Sequence, residues 1–354
     1  MLEKNGAVLR ELEQLPEGLL ACSASELYDV LGGPTLIHLP GRQAQPLFVS
    51  VLLHGNEDVG WEAVRRLLSS YHDRELPRAL SLFIGNVRAA AQGCRHLADQ
   101  PDFNRIWKCD GNTAEYRMAR QVLDSMERRG PFASIDIHNN TGFNPHYACI
   151  NCLDDDFRQL ALLFSRTVVF FQKPDTVLSL AFARLCPSTT IECGKPGESH
   201  GVQHALECID AALHLTHFPQ HGVADQDIDL YHTVAVVKIP SHISIGFRAE
   251  DEDADICFID ELDRLNFHEL PAGTLLGWTQ GEDNPGIHVW DEAGVDVGAR
   301  YLDFRNGEIR TRAPLMPSML TLDRKIIHQD CLCYIMERMP ATLANELVHG
   351  DAGC

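Results

Sequence analysis

Leu47-Phe48-Val49-Ser50-Val51-Leu52-Leu53-His54-Gly55-Asn56-Glu57 is the stretch that decides how this chain reads. An apolar run of this length, closed by a Gly-Asn pair, has the character of a buried strand ending in a turn. His54 and Glu57 stand three residues apart where that strand gives way to a helix, so an imidazole and a carboxylate can turn toward one metal ion. This donor mix suits zinc, and a catalytic zinc usually takes three protein ligands and keeps one position for water. The third ligand is expected at His138, which ends the run Ala133-Ser134-Ile135-Asp136-Ile137 and precedes the turn-forming Asn139-Asn140-Thr141-Gly142. Two strand ends would then supply one site, as open α/β sheets do at the carboxyl ends of their strands. In a chain with 17 His, an isolated His-x-x-Glu carries little weight. His138 gives it weight.

Around this centre, strand-like and helix-like segments alternate up to about residue 218. Val59 to His72 reads as a helix, Ala79 to Gly85 as a strand, and Asn112 with Glu115 as a capping box opening a surface helix. Strands follow at Ser134 to Ile137 and Tyr147 to Cys152, then a helix from Asp156 to about Val168. Ser188 to Glu192 reads as a strand and Val202 to Leu213 as a helix. Such alternation predicts an α/β fold, a mostly parallel mixed sheet with helices on both faces. From about Asp225, short β-type runs (Thr233 to Ile239, Ile256 to Ile259, Thr274 to Trp278) are broken by Gly and Pro. A catalytic domain over 1–222 and a smaller β-rich C-terminal domain over 223–354 are expected.

Composition narrows the partners. A net charge of −20 argues against nucleic acid and anionic membrane, both of which demand clustered positive charge. An anionic substrate would need local arginines. Met1-Leu2-Glu3-Lys4-Asn5 lacks the charged-then-apolar pattern of a secretory leader, so a cytoplasmic location is expected, with the 12 Cys as buried apolar residues. Cys149-Ile150-Asn151-Cys152 matches C-x-x-C without a second such pair. The acidic Glu250-Asp251-Glu252-Asp253 reads as a solvated loop. Self-association stays open.

Two further groups could carry chemistry. Gly85 to Trp107 shows little periodicity and holds Asn86, Arg88, Arg95, Asp102, Asn104 and Arg105, so it reads as a long functional loop. A guanidinium there could grip a carboxylate or stabilise an oxyanion. Thr190-Ile191-Glu192-Cys193-Gly194 puts another carboxylate at a strand end, where it could take a proton from water and hand it to a leaving amine.

Together, His54-Gly55-Asn56-Glu57, Asp102-Phe103-Asn104-Arg105, Asp136-Ile137-His138-Asn139 and Ile191-Glu192-Cys193-Gly194 resemble the succinylglutamate desuccinylase and aspartoacylase branch of the zinc carboxypeptidase-like hydrolases. The resemblance covers residues 46 to 215 well. It implies one zinc per chain held by His54, Glu57 and His138, with Glu192 as general base and then acid. It further implies that Arg95 polarises the scissile carbonyl, that Asn104 and Arg105 hold a substrate carboxylate, and that Tyr334 reaches in from the C-terminal domain. The substrate would be a small anionic N-acyl amino acid, cleaved at its amide. Two departures bear on acyl specificity: Asn86 is followed by Val87 rather than proline, and only an offset Arg184 precedes the Glu192 strand. A zinc carboxypeptidase acting on peptides shares the metal set. Gly197-Glu198-Ser199-His200-Gly201 also fits the G-x-S-x-G of a serine hydrolase, and a non-catalytic zinc-binding protein is a further alternative.

Overall fold

The computed structural model describes residues 8–247, 253–280 and 284–339. Two compact units emerge from its contacts: one runs up to Asn139 and from His146 to Leu230, the other comprises Asn140–Pro145 and Tyr231–Met339. Of the acidic stretch, Glu250, Asp251 and Glu252 lie outside the described residues, as do Met1 to Asn5.

The first unit carries β1 (Arg10–Leu12), β2 (Thr35–Leu39), β3 (Gly41–Val51), β4 (Leu76–Ile84), β5 (Ala133–His138), β6 (Tyr147–Ile150), β7 (Thr167–Phe170) and β8 (Ser188–Glu192). They lie side by side in the order β1-β2-β4-β3-β5-β8-β6-β7. β3 is parallel to β4 and β5, and β5 to β8, whereas β2 runs antiparallel to β4 and β6 to β8. The sheet is mixed and parallel through its middle. The helices between are α1 (Leu27–Leu31), α2 (Val59–Ser70), α3 (Val87–Ala90), α4 (Ala114–Arg129), α5 (Asp155–Leu162), α6 (Leu178–Phe182) and α7 (Ser199–His214).

Strand parity explains why both faces of the sheet are covered. Phe48 and Phe83 pack into one core with Met118 and Val122 of α4 and Phe182 of α6, and Phe48 stacks on Phe182 with ring centroids 4.1 Å apart. Val51 and Ile137, of opposite parity to Phe48 and His138 on their strands, meet α2 instead. A Cβ on Gly60 of α2 would stand 3.0 Å from both, so that helix rides close because this residue is glycine. Each such fully buried side chain contributes about 1.5–3 kcal/mol of transfer free energy, and in β3 only Ser50 interrupts the apolar run from Leu47 to Val51.

Some expectations need correcting. The helix foreseen from Asp156 to Val168 ends at Leu162, and Thr167–Phe170 is instead a strand parallel to β6. Its Thr-Val-Val-Phe run, β-branched and aromatic, favours the pleated surface over a helix turn. The cap of α4 is Thr113 rather than Asn112, its hydroxyl donating to Glu115 at 2.6 Å. Cys149 is a free thiol while Cys152 is disulfide-bonded, so this pair is not joined, and Cys152 departs from the expectation of reduced cysteines.

The second unit is β-rich. Its strands are β9 (Asp229–Lys238), β10 (Ile245–Phe247), β11 (Ile256–Phe258), β12 (Leu275–Thr279), β13 (His288–Asp291), β14 (Leu302–Arg305), β15 (Glu308–Thr311), β16 (Met316–Ser318) and β17 (Cys333–Arg338), with short helices α8 (Gly298–Tyr301) and α9 (Arg324–Gln329). β9 pairs with β13 and β17, and β17 with β16, all antiparallel; β10-β11-β12-β15-β14 form a separate sheet. Val237, Ile256, Phe258, Val289, Ile309 and Ile335 share its core. No helix among the described residues is long and apolar enough to cross a membrane.

Candidate metal centre

β3 ends at Val51, and Leu52 turns the chain with φ 57°, a left-handed conformation that a branched side chain adopts only under constraint. Two bonds supply that constraint: Gly85 donates to the carbonyl of Val51 at 3.0 Å and Asn86 to that of Leu52 at 2.6 Å. The turn delivers His54, and Glu57 follows before α2 begins. Gly55 sits so close to Ala89 and Ala90 that a Cβ would collide with their backbone. The Gly55 N–H donates to the carbonyl of Arg95 at 3.0 Å, which ties the arginine loop to the same turn.

His54, Glu57 and His138 are all buried, and one ligand atom from each lies within 4.8 Å of the others. Nδ1 of His54 stands 2.8 Å from Oε1 of Glu57, and Nδ1 of His138 stands 2.7 Å from Oε2. The outer nitrogens face carboxylates: Nε2 of His54 is 3.0 Å from Asp102 and Nε2 of His138 is 3.0 Å from Asp136. An imidazole that gives its Nε2–H to a carboxylate presents the Nδ1 lone pair inward, the arrangement in which metal-binding histidines are held. Either protons or a cation between these atoms satisfies the contacts, and both put positive charge at the centre. The donor set fits a zinc-like dication.

The electrostatics agree. Burial opposes charge on His138, but Asp136 and Glu57 outweigh it and hold its pKa well above the ordinary imidazole value; His54 is raised in the same way by Glu57 and Asp102 against burial and Arg95. Burial pushes Glu57 and Asp102 up, yet the neighbouring imidazoles, and for Asp102 also Arg95, hold both carboxyls well below their usual range. The pocket is built to hold cationic charge.

Glu192 is buried and stands in register with His138, β8 beside β5. Paired residues on adjacent strands point to the same face, so its carboxylate is directed to the side that carries His138. Asn139 links the three strand-end segments: its N–H donates to Glu57 at 3.1 Å, its amide nitrogen to the Gly194 carbonyl at 2.9 Å, and its amide oxygen accepts from Val59 at 3.3 Å.

The Gly85–Trp107 segment holds α3 and is anchored by Phe103, Ile106 and Trp107, all buried in the core. The indole N–H of Trp107 donates to the Phe103 carbonyl at 2.7 Å. This anchoring fixes the polar residues between. Arg95 forks onto Oδ2 of Asp102 at 3.0 and 3.1 Å and stands 3.9 Å from Glu57. The Asn104 amide oxygen accepts from Leu178 at 3.0 Å and its amide nitrogen is 3.3 Å from the His138 ring. Arg105 donates to the Asn104 carbonyl at 3.0 Å.

His54, Glu57, His138, Glu192, Arg95, Asn104 and Arg105 all belong to the first unit, and direct contacts join His54, Glu57, His138, Arg95 and Asn104. Arg184 is exposed after α6. Tyr334 is half-buried on β17 of the second unit, in register with Ser318 and Val236. Ser199 is exposed at the start of α7, several residues beyond the end of β8, so it does not occupy a strand-to-helix elbow. Sequence reasoning gave no role to Asp102, Asp136 or Asn139. The signal for Asp136 was present: residues i and i+2 of a strand share a face, so Asp136 and His138 had to be neighbours.

Fold and site together define an α/β domain with a buried His-Glu-His centre. Residues 43–205 match the family described as succinylglutamate desuccinylase/aspartoacylase catalytic domain. No curated protein matches the sequence. Among solved structures, the chain is similar to succinylglutamate desuccinylase from Vibrio cholerae, with 13% identity, TM-score 0.54, and 83% of this chain and 82% of that one covered. It is similar to succinylglutamate desuccinylase/aspartoacylase from Rhodobacter sphaeroides, with 12% identity, TM-score 0.53, and 85% and 88% covered. Murine aminoacylase 3 shares 16% identity at TM-score 0.51, with 84% and 95% covered. At these identities the likeness is one of fold.

Proposed function

We propose that the chain is a zinc-dependent hydrolase that cleaves the amide bond of a small, anionic N-acyl amino acid. The observation that carries the reading is the convergence of His54, Glu57 and His138 with Glu192 in register beside His138. The named relatives, two desuccinylase-type proteins and an aminoacylase, support amide deacylation as the reaction class.

Zinc held by His54, Glu57 and His138 would supply Lewis acidity that polarises a carbonyl and lowers the pKa of water to about 7. Asp102 and Asp136 keep both imidazoles in the tautomer that offers Nδ1. Glu192 takes the proton of the attacking water and passes it to the departing amine. Arg95, held by Asp102, brings positive charge to the edge of the centre, where it stabilises the developing oxyanion. The Arg105 guanidinium grips a substrate carboxylate, with Asn104 fixing the backbone beneath it.

A screen of N-acyl amino acids against the zinc-loaded protein, including N-acetylaspartate, N-succinylglutamate and aliphatic or aromatic N-acetyl amino acids, tests the proposal by amine release. Hydrolysis of one acyl class supports it. Turnover confined to peptides with free carboxyl termini would replace it with a carboxypeptidase, and no amide turnover in the loaded enzyme would remove it.

A further inference from the structure

Away from His54, Glu57 and His138, a second cluster of imidazoles has no part in the proposed reaction. His146 precedes β6, while His200 and His204 stand four residues apart on α7 and therefore share a helix face. Nδ1 of His146 lies 2.8 Å from Nδ1 of His204. The His146 ring is parallel to that of His200 within 3°, their centroids 5.0 Å apart, and Oε2 of Glu198 is 3.4 Å from Nε2 of His200. Phe164 stacks on His204 at 4.1 Å and forms an apolar wall.

We propose that His146, His200 and His204, with Glu198, form a second binding site for a transition-metal dication of the kind imidazole prefers, such as zinc. Two ring nitrogens 2.8 Å apart must share either a proton or a cation. In a neutral imidazole one ring nitrogen carries the proton and the other offers a lone pair, so His204 protonated on Nε2 presents Nδ1 toward His146. Neutral imidazole is the ligating form, and the site favours it. Burial, together with the neighbouring imidazoles, pushes His146 down to about 4, and burial lowers His204 as well.

The geometry also ranks the two sites. With zinc–nitrogen bonds of about 2.0–2.1 Å, two tetrahedral ligands stand roughly 3.3 Å apart, so His146 and His204 need to part by only about half an ångström. His200 is exposed and closes by a change of rotamer. Among the described residues only His54, Glu57 and His138 already have ligand atoms gathered within 4.8 Å. The imidazole cluster therefore fills second and more weakly.

The experiment is a zinc titration of the untagged full chain after chelator stripping, followed by calorimetry and by elemental analysis of the desalted protein. Wild type should take two equivalents, the second weaker, with a further rise in Tm as it fills. His200→Gln and His204→Gln should each abolish the second equivalent and leave the first, whereas His54→Ala should remove the first and leave the second. A single equivalent in wild type, or two retained in His200→Gln, would overturn the proposal and leave a hydrogen-bonded imidazole pair. Because His200 is exposed, its variant decides the matter even where His204→Gln folds poorly, and its readout does not depend on whether the chain hydrolyses any amide.

Discussion

Oδ2 of Asp136 lies 3.0 Å from Nε2 of His138, two residues further along β5. Such a carboxylate fixes ring orientation and raises ligand basicity, and its loss typically costs 10- to 100-fold in metal affinity. Asp136→Asn keeps the shape but loses the charge. Competition with a chromogenic chelator should therefore show zinc affinity lower by about that factor. Unchanged affinity would mean that the contact orients nothing.

Glu192 shares a face with His138 through the register of β5 and β8. Glu192→Gln should keep one equivalent of zinc at the primary centre and lose about 10²- to 10⁴-fold in kcat, the usual contribution of general acid–base catalysis. The paired measurement is metal content and single-turnover rate on the substrate found by screening. Near-normal turnover at full zinc would take the proton-shuttle role away from this residue.

The parallel centre of the sheet was legible because β3 ends in an apolar run, β5 alternates Ile with polar residues and β8 is rich in β-branched Thr and Ile, and each is closed by a chemically distinct residue: His54, His138 and Glu192. Their meeting at one edge follows from parallel strands side by side, which local pattern can suggest. The edges were less legible. β1 and β2 are short strands of three and five residues ahead of the motif, and β7 follows α5 after a short break that periodicity does not mark. Asp102 was seen as one polar residue among several in an arginine-rich loop. Its role depends on where Phe103, Ile106 and Trp107 pin that loop, which is a matter of long-range packing rather than local pattern.

Arg105 offers a fixed fork of donors, whereas lysine offers a point charge. If it grips a substrate carboxylate, Arg105→Lys should lower kcat/KM by about tenfold or more, equivalent to about 1.4 kcal/mol of lost transition-state binding, and leave zinc content unchanged. Steady-state kinetics with a substrate and its amide-capped analogue separates the cases. The variant should discriminate less between the two than wild type does. Equal discrimination would place the carboxylate elsewhere.

His38 lies between Ser81 at 2.8 Å and Glu11 at 2.9 Å. Burial pushes its pKa below the ordinary 6.5, more than the bond to Glu11 restores. As pH falls below 6.5 the unfolded chain takes up this proton first, so stability declines with falling pH until the lower folded value is passed. Although burial works to raise it, Glu11 is held below 4.5 by Ser125 and His38, and it adds a loss of the same sign at lower pH. Urea denaturation at pH 7.5, 6.0 and 5.0 should show this slope, and His38→Gln should flatten it above pH 5. An unaltered slope in the variant would assign the acid sensitivity to other groups.

Gly55 separates His54 from the rest of the metal turn, and a Cβ there would strike the backbone nitrogen of Ala90. The obstacle is backbone at α3, whose Asn86 cap is itself bonded to Leu52, so the collision cannot be relieved by turning a flexible side chain. Either the turn or α3 must shift. Overpacking of this kind costs about 1–3 kcal/mol. Gly33 has open space and an ordinary φ, so Gly33→Ala provides a matched control in which the same added methyl should be neutral or mildly stabilising. Gly55→Ala should lower Tm by several degrees and weaken zinc binding, because displacing the turn moves His54 and Glu57 together relative to His138. Chemical denaturation of both variants with and without zinc checks this: if the destabilisation is the same in metal-loaded and stripped protein, the shift has spared the centre and α3 has moved instead.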